Sequence, residues 1–214
     1  MKEETLKQEE LEIAGGSIGE GIAAIGAVAL GILALIGIFP QILIPIAAIA
    51  IGTAFFLEGG TIVRQITKFV SESRNIRSDT FSGGITAELL AGVVGITLGI
   101  LALLRIVPII LLPVVAVVCG AALIVGGTMT ARLNSMALEM LNESERVKKV
   151  SHETISAAAN IRWLVGLGVI TLGVLGLIGI EPLILSTIAF LSVGFVNFLI
   201  GTAISGRMIN LLAH

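Results

Sequence analysis

Apolar positions in this chain gather into long runs separated by short polar stretches. Mostly apolar segments cover residues 18–39, 41–63, 85–107, 109–131, 161–180 and 183–205. A helix rises about 1.5 Å per residue and the hydrocarbon core of a bilayer is about 30 Å thick, so each segment is long enough for one crossing. The pattern predicts six transmembrane helices.

The segments pair around a phrase written three times. Residues 31–40 read GILALIGIFP, residues 99–108 read GILALLRIVP, and residues 173–182 read GVLGLIGIEP. Each phrase closes one apolar run and its proline opens the next. Proline has no N–H to donate and its φ suits a helix start, so it sits at no cost in a first turn. Pro40, Pro108 and Pro182 are therefore expected to mark tight hairpin turns. The prolines lie 68 and 74 residues apart, and at those offsets Gly31, Gly99 and Gly173 align, as do Gly52, Gly120 and Gly194. The longer second interval falls in a polar linker, where added residues are tolerated. With two crossings per copy, all three copies insert in the same direction. The expected fold is an all-α integral membrane protein, with three tandem parallel helical hairpins in a pseudo-threefold bundle. Its parts are a polar N-terminal segment at 1–17, hairpins at 18–64, 85–131 and 161–206, linkers at 65–84 and 132–160, and a C-terminus at 207–214.

Charge orients the bundle. Lys2, Lys7, Arg64, Lys68, Arg74, Arg77, Arg132, Arg146, Lys148, Lys149, Arg162 and Arg207 fall on the side of the termini and linkers, and Arg105 alone falls on the side of the turns. By the positive-inside rule both termini and both linkers are expected in the cytoplasm. Composition agrees with a membrane protein: 56% of the 214 residues are hydrophobic, 13% are charged, and mean hydropathy is +1.06. The expected surroundings are a lipid bilayer. A net charge of −2 gives no reason to propose nucleic acid as a partner. The acidic N-terminus, MKEETLKQEELEIAGG, does not read as a secretory signal, which begins with a basic region.

The segments GITLGILALL at 95–104 and GVITLGVLGLIG at 168–179 lead into the hairpin turns, with Gly-spaced return helices after the prolines. In this the chain resembles the HdeD family of small six-span membrane proteins over roughly residues 18 to 206. The resemblance implies a prokaryotic inner-membrane protein associated with acid or general stress resistance. It implies no enzymatic activity and supplies no catalytic residues.

Glycine and the ionisable residues are the candidates for function. Gly95 and Gly99 form a GxxxG pair, and Gly31 and Gly173 hold the position of Gly99 in the other copies; small residues at this spacing let helix backbones approach closely. Glu20, Glu88 and Arg162 each lie 20 residues before a hairpin proline, and Glu58 lies 18 after one. At about 1.5 Å per residue all four share a depth roughly 27 to 30 Å from the turns. Two readings of this layer stand: a mouth or ion-binding ring, or headgroup-level charges near helix starts. Asn197 is a polar residue within the last span, suited to a hydrogen bond with a neighbouring helix.

Enzymatic chemistry finds no foothold. Cys119, the single cysteine, lies in an apolar run; His152 and His214 are the only histidines, and neither has a metal-ligand or triad spacing around it. GEGIAA at 19–24 and GLGVIT at 166–171 imitate a nucleotide fingerprint but lie at or inside apolar helices. No cofactor and no metal are expected. In the second linker Leu133, Met136, Met140 and Leu141 recur at helical spacing, so helix four is expected to continue outward as an amphipathic helix, either as a solvated or membrane-surface extension or, alternatively, as a docking surface for a partner or a second copy. Two function classes follow. One is a non-enzymatic structural or accessory membrane protein, a homo-oligomer or a subunit beside other membrane proteins. The other is a small channel or transporter that uses the polar layer.

Overall fold

The computed structural model describes residues 19, 21–72, 82–140 and 145–212, with side chains over 19, 21–60, 87–127 and 159–199. Within these residues the backbone forms six α-helices and no strand. They are α1 Gly21–Leu35, α2 Pro40–Glu72, α3 Ser82–Leu103, α4 Pro108–Met140, α5 Glu145–Leu177 and α6 Pro182–Leu212. Four contain stretches long and apolar enough to cross a membrane: Pro40–Gly60, Pro108–Gly127, Ala159–Leu177 and Pro182–Leu199. The apolar helices Gly21–Leu35 and Ala87–Leu103 are shorter. Helices α2 and α4 continue past their apolar parts to Glu72 and Met140, and α5 starts at Glu145, so much of both polar linkers is helical.

Three turns of the same build join α1 to α2, α3 to α4 and α5 to α6. In each, the amide two residues before the N-cap closes back on the helix: Gly37 N–H donates to Ala34 O, Arg105 N–H to Ala102 O and Gly179 N–H to Gly176 O, each at 3.0 Å. The next amides, of Ile38, Ile106 and Ile180, donate to Leu33, Leu101 and Leu175 at 3.1 Å. This pair of bonds ends a helix through one left-handed residue, which is most easily glycine. Gly37 and Gly179 take φ of 91° and 98°, and Arg105 takes 62° without that freedom. Phe39, Val107 and Glu181 then cap the return helices with their carbonyls, also at positive φ, and Pro40, Pro108 and Pro182 are the first helical residues.

The core lies where α2, α4 and α6 meet, since each of these helices touches the other two. Counted from the helix-opening proline, the fourth, eighth, eleventh and fifteenth following residues point inward in all three. These sets are Ile44, Leu112 and Ser186; Ala48, Ala116 and Phe190; Ile51, Cys119 and Val193; and Phe55, Leu123 and Asn197, none more than 2% exposed. Spacing of four and three residues keeps one stripe of a helix facing its neighbours. The outer surface is apolar as well, but with large side chains: Ile22, Leu90, Leu164 and Phe195 are all more than half exposed. Large apolar side chains on the outer surface suit a hydrocarbon solvent.

Helices α1, α3 and α5 pack against this inner trio through glycine. A Cβ added to Gly92 of α3 would lie 2.6 Å from the Phe56 backbone nitrogen and 2.8 Å from the Gly52 carbonyl oxygen of α2. A Cβ on Gly166 of α5 would lie 2.8 Å from the Gly120 carbonyl oxygen of α4. On α1, Ala24 faces Gly194 of α6, whose added Cβ would lie 3.2 Å from the Ala24 carbonyl oxygen. One contact recurs nearer the turns: Gly99 meets Ile49, Gly173 meets Val117 and Gly31 meets Leu191, each the ninth residue after a helix-opening proline. Gly95 adds a contact with the Gly52 backbone.

These approaches predict a contrast between two glycine substitutions. Gly92→Ala drives a methyl into α2 backbone and should destabilise by about 1–3 kcal/mol. Gly26→Ala meets nothing within 4 Å and should be neutral or stabilising by up to ~1 kcal/mol. Thermal unfolding of the full chain in detergent measures both, and indistinguishable melting temperatures would contradict the packing described.

Candidate functional site

A buried ionic cluster occupies the end of the bundle away from the hairpin turns. Glu58 lies two residues before the end of the α2 apolar stretch Pro40–Gly60, Glu88 lies near the start of α3, and Arg162 lies near the start of the α5 stretch Ala159–Leu177. The Arg162 guanidinium joins the two carboxylates. Its Nη2 donates to Glu58 Oε1, and its Nη1 donates to Glu88 Oε1 at 3.4 Å. All three are buried, at 8%, 1% and 2% exposure for Glu58, Glu88 and Arg162.

Two glycines of α4 make room for the cluster. A Cβ on Gly126 would overlap the Glu88 carboxylate outright, and one on Gly127 would lie 3.1 Å from the Arg162 Cβ. Helix α4 packs on both α3 and α5. Where it lacks side chains, Glu88 seats against it and the Arg162 side chain passes on to α2. The guanidinium is permanently charged and needs anionic acceptors once it leaves water. The two carboxylates provide them, and three helices are tied together at one level.

The sequence-derived candidates therefore separate. Glu58, Glu88 and Arg162 converge, and none of them lies exposed at a headgroup level. Glu20 and Leu141 lie outside the described residues. Leu133, Met136 and Met140 belong to the polar end of α4, beyond the described side chains. Gly31, Gly95, Gly99 and Gly173 all sit at helix contacts. Thr53 and Thr171 donate their hydroxyls to the Ile49 and Leu167 carbonyls, 2.8 and 2.9 Å away on the preceding turn, and so are satisfied within their own helices. The Cys119 thiol is free and buried in the core.

Asn197 differs from its expected role. It is 1% exposed, yet neither its Nδ2 nor its Oδ1 has a hydrogen-bond partner, so it makes no bond to a neighbouring helix. On the inner face of α6 it stands level with Phe55, one turn from Glu58 along α2. The only sequence signal was a lone amide in the apolar stretch GFVNFLIG. The Ser186 hydroxyl, at the other end of the same face, is likewise buried without a partner.

Among the described residues no group of three His, Cys, Asp or Glu side chains is placed to hold a metal ion. Comparison with protein-family models, with curated proteins and with solved structures gives no match. What the site can do is thus read from its geometry alone. It can hold three helices by charge, and it places polar atoms beside an otherwise apolar axis.

The cluster predicts a non-additive mutant series. Arg162→Met leaves two carboxylates without their guanidinium and should destabilise by about 3–5 kcal/mol. Combining it with Glu58→Leu and Glu88→Leu should recover most of that loss, because an apolar set of similar volume avoids the desolvation cost. Melting temperatures of the two variants in one detergent check this; a triple variant no more stable than Arg162→Met would refute it.

Proposed function

We propose that this chain is a non-enzymatic, six-span integral membrane protein with a structural or accessory role. In this reading three parallel hairpins form a pseudo-threefold bundle in a prokaryotic inner membrane, with both termini cytoplasmic. It belongs with HdeD-like stress-resistance proteins, and it works as a homo-oligomer or beside other membrane-protein subunits. The four apolar helices and the twelve-to-one distribution of Lys and Arg support the placement.

One observation carries the structural reading. The axis between α2, α4 and α6 is filled, with Phe55, Leu123, Ile51, Cys119, Val193 and Phe190 all buried across it. A conduction path needs polar groups or a wetted gap through the middle of the membrane. The second reading, a small ion or solute channel or transporter, is favoured by the Glu58–Arg162–Glu88 cluster, since buried charges in membrane spans commonly serve transport. The cluster occupies one end of the bundle, and the apolar axis lies between it and the turns.

Native mass spectrometry of protein extracted in mild detergent, paired with cation flux in proteoliposomes, separates the two. The expected outcome is a defined assembly, with copies of this chain or with other subunits, and no Na+, K+ or H+ flux above empty vesicles. Flux that disappears in Glu58→Gln would overturn the structural role in favour of transport.

A further inference from the structure

We propose that the hairpin-turn end of the bundle is a phospholipid-binding surface. The three turns sit at the boundary between hydrocarbon and headgroups in one leaflet, below the water, and the Arg105 guanidinium takes a lipid phosphate there. The proposal rests on the six-span reading above and names what covers one end of it.

Two independent features lead there. The first is depth. Trp163, near the linker end of the α5 apolar stretch, is 46% exposed, and an indole so placed anchors at a membrane interface. From Trp163 to Leu177, the last residue of α5, the helix rises about 21 Å, against a hydrocarbon core of about 30 Å. The core therefore reaches past the helix end and into the turn. The turn side chains agree: Ile36, Phe39, Leu104, Val107, Ile178 and Ile180 are each at least 50% exposed. On α5 the exposed apolar face runs through Leu167, Val174 and Leu177 directly into Ile178 and Ile180, so the lipid that covers the flank covers the tip as well.

The second feature is the backbone. A loop can approach hydrocarbon only if it satisfies its own polar groups. In the first turn the amides of Ile36, Gly37 and Ile38 donate back into α1, those of Ile42 and Leu43 donate to Phe39 O, and Pro40 has no N–H. The second turn repeats this with Leu104, Arg105 and Ile106 on one side and Ile110 and Leu111 on the other, both of the latter on Val107 O. In the third, Ile178, Gly179 and Ile180 donate back into α5 and Leu185 donates to Glu181 O. Charge then sets the level. Arg105 and Glu181 carry the charges of this end, both exposed, and among the described residues neither forms an ion pair. Ionised side chains hold the tips among the headgroups and no deeper. There the guanidinium, a planar set of N–H donors on a long apolar stem, meets the phosphates it pairs with best.

The test places a bimane fluorophore at Ile36→Cys, Leu104→Cys and Ile178→Cys, one at a time in a Cys119→Ala background of the full chain, with Ile100→Cys as the mid-helix reference. Each labelled protein is put into phosphatidylglycerol nanodiscs and quenched by a phospholipid carrying a nitroxide near its glycerol, or by iodide in the water. All three turn positions should lose more fluorescence to the lipid nitroxide than to iodide. Stronger quenching by iodide at the turns, with Ile100→Cys still shielded from it, would overturn the proposal and leave the six-span reading standing; iodide reaching Ile100→Cys as well would remove both. Turns shielded from both quenchers would be covered by protein, a second copy or another chain, and would also overturn it. Phosphate recognition is read by native mass spectrometry in mild detergent with added phosphatidylglycerol or a phosphate-free galactolipid. Arg105→Gln should weaken phosphatidylglycerol binding about tenfold, as expected for one charged hydrogen bond, and leave galactolipid binding unaltered. An unchanged phosphatidylglycerol affinity, or an equal loss for both lipids, would refute the role of Arg105.

Discussion

Helices in hydrocarbon gain little from hiding leucine against leucine, because the solvent is as apolar as the side chain. What remains is the fit of one backbone against another, and in this protein that fit is made by glycine. Gly52 against Gly92 and Gly120 against Gly166 bring main chains close enough that one methyl would touch a neighbouring carbonyl or amide. In the inner trio Ala47, Ala48, Ala116 and Ala189 are fully buried beside larger side chains such as Phe55, Leu123 and Phe190. Further large residues, such as Ile22, Leu90, Leu164 and Phe195, lie at the periphery, where lipid receives them.

The ionic cluster depends on this close approach. Arg162 starts on α5 and reaches carboxylates on α2 and α3 because Gly126 and Gly127 thin the helix that stands between. With alanine there, Glu88 and α4 would compete for one space. The charges in turn fix how far α2, α3 and α5 can part at that end of the bundle. Interactions of this kind weaken little with salt, since ions in solution do not reach them. At the opposite end the three turns act without charge pairing, through capped carbonyls and left-handed residues.

How much of this could be read beforehand follows from what a sequence measures well. Rise along a helix accumulates simply with residue count, so the common depth of Glu58, Glu88 and Arg162 was visible from the distance to each proline. Facing direction changes by about 100° per residue, so whether these groups met lipid headgroups or one another was not. The residues 18 after the other two hairpin prolines, Gly126 and Ile200, carry no charge, so the repeat by itself assigns Glu58 no partner. In the fold Gly126 is the counterpart that makes room, and that depends on which helix passes between which. The turns were legible because proline and glycine have few conformational options. Arg105 was not, since its left-handed backbone is imposed by the two hydrogen bonds around it. The glycines were recognisable as contact points, but their partners were fixed only once α3 lay on α2 and α5 on α4.

That pairing runs in one direction around the molecule. Helix α3 leans on the hairpin before it, α5 does the same, and α1 leans on α6, the last helix of the chain. A linear polypeptide has thereby acquired a cyclic order of contacts in which no hairpin is terminal. The polar linkers alone record which hairpin comes first. Severing one of them and joining the outer ends would give a chain with a different beginning and the same set of neighbours.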